Sequence, residues 1–146
     1  ESAFRRLRVD ALCVSEDMAY KAHAMISPDM ARRFLRPTYG SWKALCRDHG
    51  APLLDMDSDG YIEDLVPVWL EAGFNCCNPI EVAAGNDLVA MRQRFGRSMA
   101  YHGGLDKRAL AVGGATMRQE LERVVPPLLE QGGFYAKLYH SQFAPS

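Results

Sequence analysis

The chain has 146 residues, enough for one domain with a sizeable core, and it is 48% hydrophobic and 24% charged, as in ordinary globular proteins. Its net charge of −1 offers no basic field for nucleic acid, and no apolar run approaches a membrane span. Glu1–Arg6 has no apolar stretch of signal-peptide type, and Cys13, Cys46, Cys76 and Cys77 form no C-x-x-C pair, so a cytoplasmic protein with buried free thiols is expected.

Apolar runs alternate with amphipathic stretches. Val9–Ser15 reads as a buried strand. Ser27-Pro28 then gives an N-cap with proline at the first helical position, opening a helix over about Asp29–Asp48 that Pro37 kinks or breaks. Phe34, Leu35, Tyr39, Trp42 and Leu45 are its expected inward face. Pro52–Met56 is the second strand, and Ile62–Glu71 a helix capped by Gly73. Phe74–Asn78 is the third strand, in which Cys76 and Cys77 would face opposite sides. A helix over Asp87–Phe95, a strand over Ser98–His102, a helix over Thr116–Glu130 bent at Pro126-Pro127, and a strand over Phe134–Leu138 complete the order. This β-α alternation predicts parallel strands with right-handed helical crossovers, either as an open sheet or as a barrel. No G-x-G-x-x-G follows the first strand, which disfavours a dinucleotide-binding domain.

Polar and glycine-rich clusters follow every strand: Glu16, Asp17 and Lys21; then Asp57, Asp59 and Gly60; then Asn78, Pro79, Glu81 and Gly85; then His102 to Arg108; and finally Tyr139 and His140. In parallel α/β proteins these loops gather at one end of the sheet and carry the ligand site. Each cluster also has a plainer reading. Asp57–Gly60 is either a turn capping the next helix or part of a site, and Asp106–Arg108 either a surface charge run or a ligand contact. Gly103 and Gly104 would let backbone N–H groups approach an anion.

The passages Asp10–Ala19, Ile26–Met30, Asp57–Gly60, Pro79–Asp87 and Gly103–Arg108 resemble, in one register from about residue 9 to Pro145, those of the uroporphyrinogen decarboxylase superfamily. The resemblance implies a partial TIM (β/α)8-barrel, its C-terminal half, as a single α/β domain of about five strands and four helices with the site at the C-terminal strand ends. That superfamily includes cofactor-free porphyrinogen decarboxylases and zinc-dependent corrinoid methyltransferases. The methyltransferases carry a His-x-Cys pair where this chain has Asp57-Ser58-Asp59, and a later cysteine near His140 that this chain lacks, so zinc held in their manner is disfavoured. His140 matches the late histidine that contacts substrate in the decarboxylases, while Tyr139 stands where many relatives place an aspartate.

The expected catalytic groups are therefore His140, Asp57 and Asp59. The expected ligand contacts are Glu16, Asp17, Glu81, His102, Gly103, Gly104, Asp106, Lys107 and Arg108, with Lys107 or Arg108 pairing a ligand carboxylate. No cofactor is expected and no metal site is assigned. The N-terminal half of the barrel, which carries the decarboxylases' key arginines and aspartate, is expected to be missing, so complete decarboxylase activity is not expected. A small anionic or tetrapyrrole-like ligand is the first reading, and a non-catalytic oligomerising half-barrel or half of a corrinoid-linked methyltransferase are the alternatives. Open sheet edges imply a partner, either a second copy forming a dimer or a separate N-terminal half.

Overall fold

The computed structural model describes residues 2–136. It is an α/β fold with a five-stranded, wholly parallel sheet in the order β1-β2-β3-β4-β5. Along the chain come α1 (Ser2–Arg6), β1 (Ala11–Ser15), α2 (Pro28–Phe34), α3 (Arg36–Asp48), β2 (Leu53–Asp57), α4 (Val66–Ala72), β3 (Cys76–Ile80), α5 (Leu88–Phe95), β4 (Ala100–Gly103), α6 (Lys107–Val112), α7 (Gly114–Gln131) and β5 (Phe134–Tyr135). No helix among the described residues is long and apolar enough to cross a membrane.

The register divides the sheet into two chemically different faces. Val14 pairs with Met56, Met56 with Cys77, Cys77 with Tyr101 and Tyr101 with Phe134, and this row belongs to the hydrophobic core together with Trp69, Phe74, Leu88, Met91, Val124 and Leu128 from the helices and loops. Side chains alternate along a strand, so the neighbours of that row point the other way. They are Cys13, Asp55, Cys76 and Ala100 in one row and Ser15, Asp57 and Asn78 in the next, with His102 beside Tyr135; none of them joins the core.

Several local expectations need correcting. Pro37 does break the first long helix: α2 ends at Phe34 and α3 starts at Arg36. The break interrupts the helical phase, so Phe34 is 57% exposed beneath the Arg33 guanidinium instead of lying on the face of buried Tyr39. The second helix starts at Val66, four residues later than expected, because Pro67 fits only its first turn; Ile62 and Leu65 are nonetheless fully buried in the preceding turn. Cys46, Cys76 and Cys77 are buried, but Cys13 is exposed, since β1 lies at the edge of the sheet among the described residues and turns alternate side chains to solvent. Ser27 caps α2 through Met30 N, and Asp87 caps α5 through Val89 N and Ala90 N. The α7 helix runs through Pro126 and Pro127 to Gln131.

Arg92, only 2% exposed, ties the last two strands to α5. Its Nη1 donates to Gly96 O (2.8 Å) and Met99 O (3.2 Å), and its Nη2 donates to Gly132 O and Gly133 O (both 3.0 Å). The guanidinium lies 4.9 Å over the ring of Tyr101. Four carbonyls in the turns that enter β4 and β5 are thereby satisfied by one charge. Arg92→Met removes all four bonds and is expected to cost about 3 kcal/mol, lowering the melting temperature by about 10 °C. Arg94→Met breaks the exposed pair with Glu63 and a surface stack on Phe95, and should cost under about 1 kcal/mol. Comparable losses in the two variants, measured by thermal unfolding, would refute this role for Arg92.

Candidate functional site

Two groups of polar side chains form at and below the C-terminal strand ends. The first surrounds a cleft of about 320 Å³ lined by Asp17, Ala19, Tyr20, Lys21, Met25, Asp59, Gly60 and Glu81. It is built by main chain held on side chains. The β1–α2 loop folds back on itself, with Met25 N donating to Met18 O and Tyr20 N to His23 O. The turn after β2 is then bound from three sides: Met18 N donates to Ser58 Oγ, Asp59 N to Asp17 Oδ1, and Gly60 N to Glu81 Oε2. Asn86 closes the fourth side by accepting from Ile62 N and donating to Gly60 O and Glu81 O. A Cβ at Gly60, where φ is +82°, would lie 2.5 Å from Tyr20 O, so only glycine fits. Asp57–Gly60 is therefore an interlocked turn and not a helix cap, since α4 begins six residues beyond Gly60 and takes no side-chain cap.

Lys107 reaches this group, with Nζ 3.7 Å from Glu81 Oε1 and its side chain 46% exposed. Glu16 is committed beneath it: the buried Tyr39 hydroxyl donates to Glu16 Oε2 at 2.5 Å, and burial followed by that carboxylate drives the phenol's pKa far up. Asp57 accepts from Ser15 Oγ at 2.9 Å on the polar face of the sheet.

Four of the expected ligand contacts are engaged elsewhere. Asp106 caps α6 by accepting from Arg108 N, and Arg108 returns a bidentate pair with Nε and Nη2 at 2.9 and 2.8 Å. Asp106 N donates to Glu120 Oε1 of α7. The Gly104 amide, expected to face an anion, donates to Ile80 O, and a Cβ there would strike Leu88 at 2.2 Å. Gly103, with φ +93°, is the last residue of β4 and pairs with Ile80. Gly104 thus serves the close packing of the end of β4 against Leu88 of α5, and Gly103 the ladder to β3. His140, like Tyr139, lies outside the described residues.

The second group lies on the polar face of the sheet. Asp55, Cys76 and His102 come from β2, β3 and β4, and their ligating atoms all lie within 4.8 Å of one another. His102 Nδ1 is 3.9 Å from Asp55 Oδ2, which also accepts from Asn78 Nδ2 at 2.9 Å. Asp55 is 5% exposed and Cys76 1%, whereas the His102 side chain is 32% exposed and packs edge-on to Tyr135. Asp55 Oδ1 is buried without a hydrogen-bond partner among the described residues. Burial, then the charge of Asp55, pushes the Cys76 thiol well above its ordinary pKa. Of this group only His102 and Asn78 stood out in the sequence; the signal for Asp55 was a carboxylate at the centre of an apolar strand.

Another cavity, of about 380 Å³, lies at the opposite end, where Ala51, Pro52, Phe74, Asn75 and Ser98 precede the strands. It contains none of the expected site residues. No protein-family model matches the sequence, and no curated protein matches it.

The Arg108 bond holds the Asp106 carboxyl below the usual carboxylate range. Because its folded pKa is depressed, the stabilisation from Asp106 is complete above its ordinary value of 3.8 and is lost as pH falls through the folded value. Asp106→Ala is expected to cost about 1 kcal/mol at pH 7 and distinctly less near pH 3, as seen in denaturant unfolding at the two pH values. A cost independent of pH would contradict the charged-cap account.

Proposed function

We propose that this chain is a uroporphyrinogen decarboxylase-like part of a (β/α)8-barrel that binds a small anionic or tetrapyrrole-like ligand at its C-terminal strand ends. The observation that carries the reading is the strand order β1-β2-β3-β4-β5, parallel throughout and without reversal. A doubly wound sheet reverses its order at a switch point, whereas a barrel adds each strand beside the last and keeps its helices outside. The division into a core face and a polar face fits that winding. The cleft bounded by Asp17, Asp59 and Glu81, with Lys107 beside Glu81, stands where barrel proteins bind ligands.

Lys107 is the cation suited to a ligand carboxylate, since Arg108 is held by Asp106 while Lys107, among the described residues, makes a long, half-exposed contact with Glu81. Asp59 and Glu81 orient polar groups of the ligand, and Asp57 sits one step deeper. The exposed side chains of β1, which among the described residues has a strand on one side only, support a partner strand at that edge, from a second copy or a separate N-terminal half. A second reading, a non-catalytic oligomerising half-barrel, is favoured by the mutual pairing of Asp106 with Arg108 and by the use of the Gly104 amide inside the fold.

Two measurements test these readings. A thermal-shift series in chelator-treated protein should show a rise in melting temperature with a carboxylated porphyrin or with citrate, reduced in Lys107→Gln. No shift with either compound leaves the non-catalytic reading standing. Light scattering on the eluting protein at micromolar concentration should give a mass of at least twice 16.3 kDa if a second copy covers the edge. A monomer removes self-association and leaves the separate half.

A further inference from the structure

Asp55, Cys76 and His102 combine three unlike donors on adjacent strands of one rigid sheet. We propose that they form a site for a divalent transition-metal ion, with zinc the ion that the donor set fits best. This inference does not rest on the ligand reading above, and its residues differ from the Asp57, Asp59 and Glu81 group.

The geometry follows from the register. Asp55 pairs directly with Cys76, Cys76 pairs with Ala100, and His102 lies two residues beyond Ala100 on the same face. Their donor atoms lie within 4.8 Å of each other. Around a tetrahedral zinc, bond lengths near 2.0–2.3 Å put ligand atoms about 3.5 Å apart. A contraction of about 1 Å is required, and the partly exposed His102 ring is the member freest to move.

A second observation points to a cation. Asp55 is only 5% exposed, and its Oδ1 accepts from no N–H or O–H group among the described residues, leaving the weakly donating thiols of Cys13 and Cys76 beside the carboxylate. A buried carboxylate oxygen without a strong donor is costly, and a cation would satisfy it. Asn78 supplies the outer contact, its Nδ2 fixing Oδ2 as outer-shell partners of metal-bound carboxylates do. Nitrogen, sulfur and oxygen donors together suit zinc, whereas magnesium and calcium take oxygen alone.

A disulfide does not account for the cysteines on this face. Cys13 and Cys76 stand two strands apart, each paired to Asp55. At about 4.8 Å per strand their Cα atoms are separated by about 9.6 Å, beyond the roughly 7 Å that a disulfide spans. On binding, the Cys76 S–H bond breaks, its proton passes to solvent and the thiolate sulfur bonds the ion; nothing is oxidised or reduced. Three protein donors leave a fourth position on the polar face for water or a ligand atom, as in catalytic zinc sites.

The test is titration of the chelator-treated full chain with zinc chloride, and separately with cobalt(II) chloride under a non-thiol reductant. One ion per chain should bind, and cobalt should produce the intense near-ultraviolet sulfur-to-cobalt band of a thiolate ligand. Cys76→Ser should abolish that band. Cys76→Ser and His102→Gln should each weaken zinc by more than about 100-fold, the upper end of what losing an outer-shell partner costs. Cys13→Ser should leave both unchanged. Absence of the band in the unaltered chain overturns the proposal, as does a band that survives Cys76→Ser. If circular dichroism shows that Cys76→Ser does not fold, the unaltered chain and His102→Gln decide the matter: unchanged zinc affinity in His102→Gln overturns it.

Discussion

A parallel sheet whose strands follow one another in sequence order brings its crossover helices to one side, and the other side must find a different use. Strands of ordinary parallel sheets are covered on both faces and are apolar throughout. Here the core-facing side chains, among them Leu12, Val14, Leu54, Met56, Cys77, Tyr101 and Phe134, carry the packing, and the alternate rows are released from it. That release allows a carboxylate, a thiol, an amide and an imidazole to stand side by side on three central strands. The C-terminal turns then add their own polar groups above that face, so the chemistry of the molecule is layered along the strand direction.

Arg92 adds a second tie between β4 and β5 beside the two register pairs that join them among the described residues. Its guanidinium satisfies four carbonyls in the turns that enter the two strands, and its stacking over Tyr101 fastens it to the core. His102 follows Tyr101 directly. The orientation of the imidazole on the polar face is thus linked, through one residue of backbone, to a charge buried on the helical side.

Much of this architecture was readable in the residues. Five apolar segments bounded by turn residues gave the strand count and their alternation with helices, and Ser27-Pro28, Pro37, Gly73 and Asp87 marked helix ends by their own backbone chemistry. The gathering of polar clusters after the strands gave the end of the sheet to inspect. What was not readable required register. Asp55 could be seen as a charge within an apolar run, but only strand pairing reveals that it faces Cys76 and His102 and not the core. The α6 helix has six residues, too few for a period of 3.6 to show, so Asp106 looked like part of a charge run when it was an N-cap. In the same way Gly104 signalled backbone freedom, and the reason proved to be the approach of Leu88.

Gly60 carries a consequence for how such a chain can change over time. The obstacle to any side chain at this position is the carbonyl of Tyr20 and the main chain of Ala19, not a side chain that could rotate away. No substitution elsewhere that leaves the backbone path intact would make room. The β1–α2 loop and the turn after β2 are therefore bound to a common history: an insertion or deletion in one is tolerated only with a matching change in the path of the other. Variation at the mouth of the cleft is channelled into positions such as Lys21, Met25 and Lys107, which line or border it without supporting that crossing.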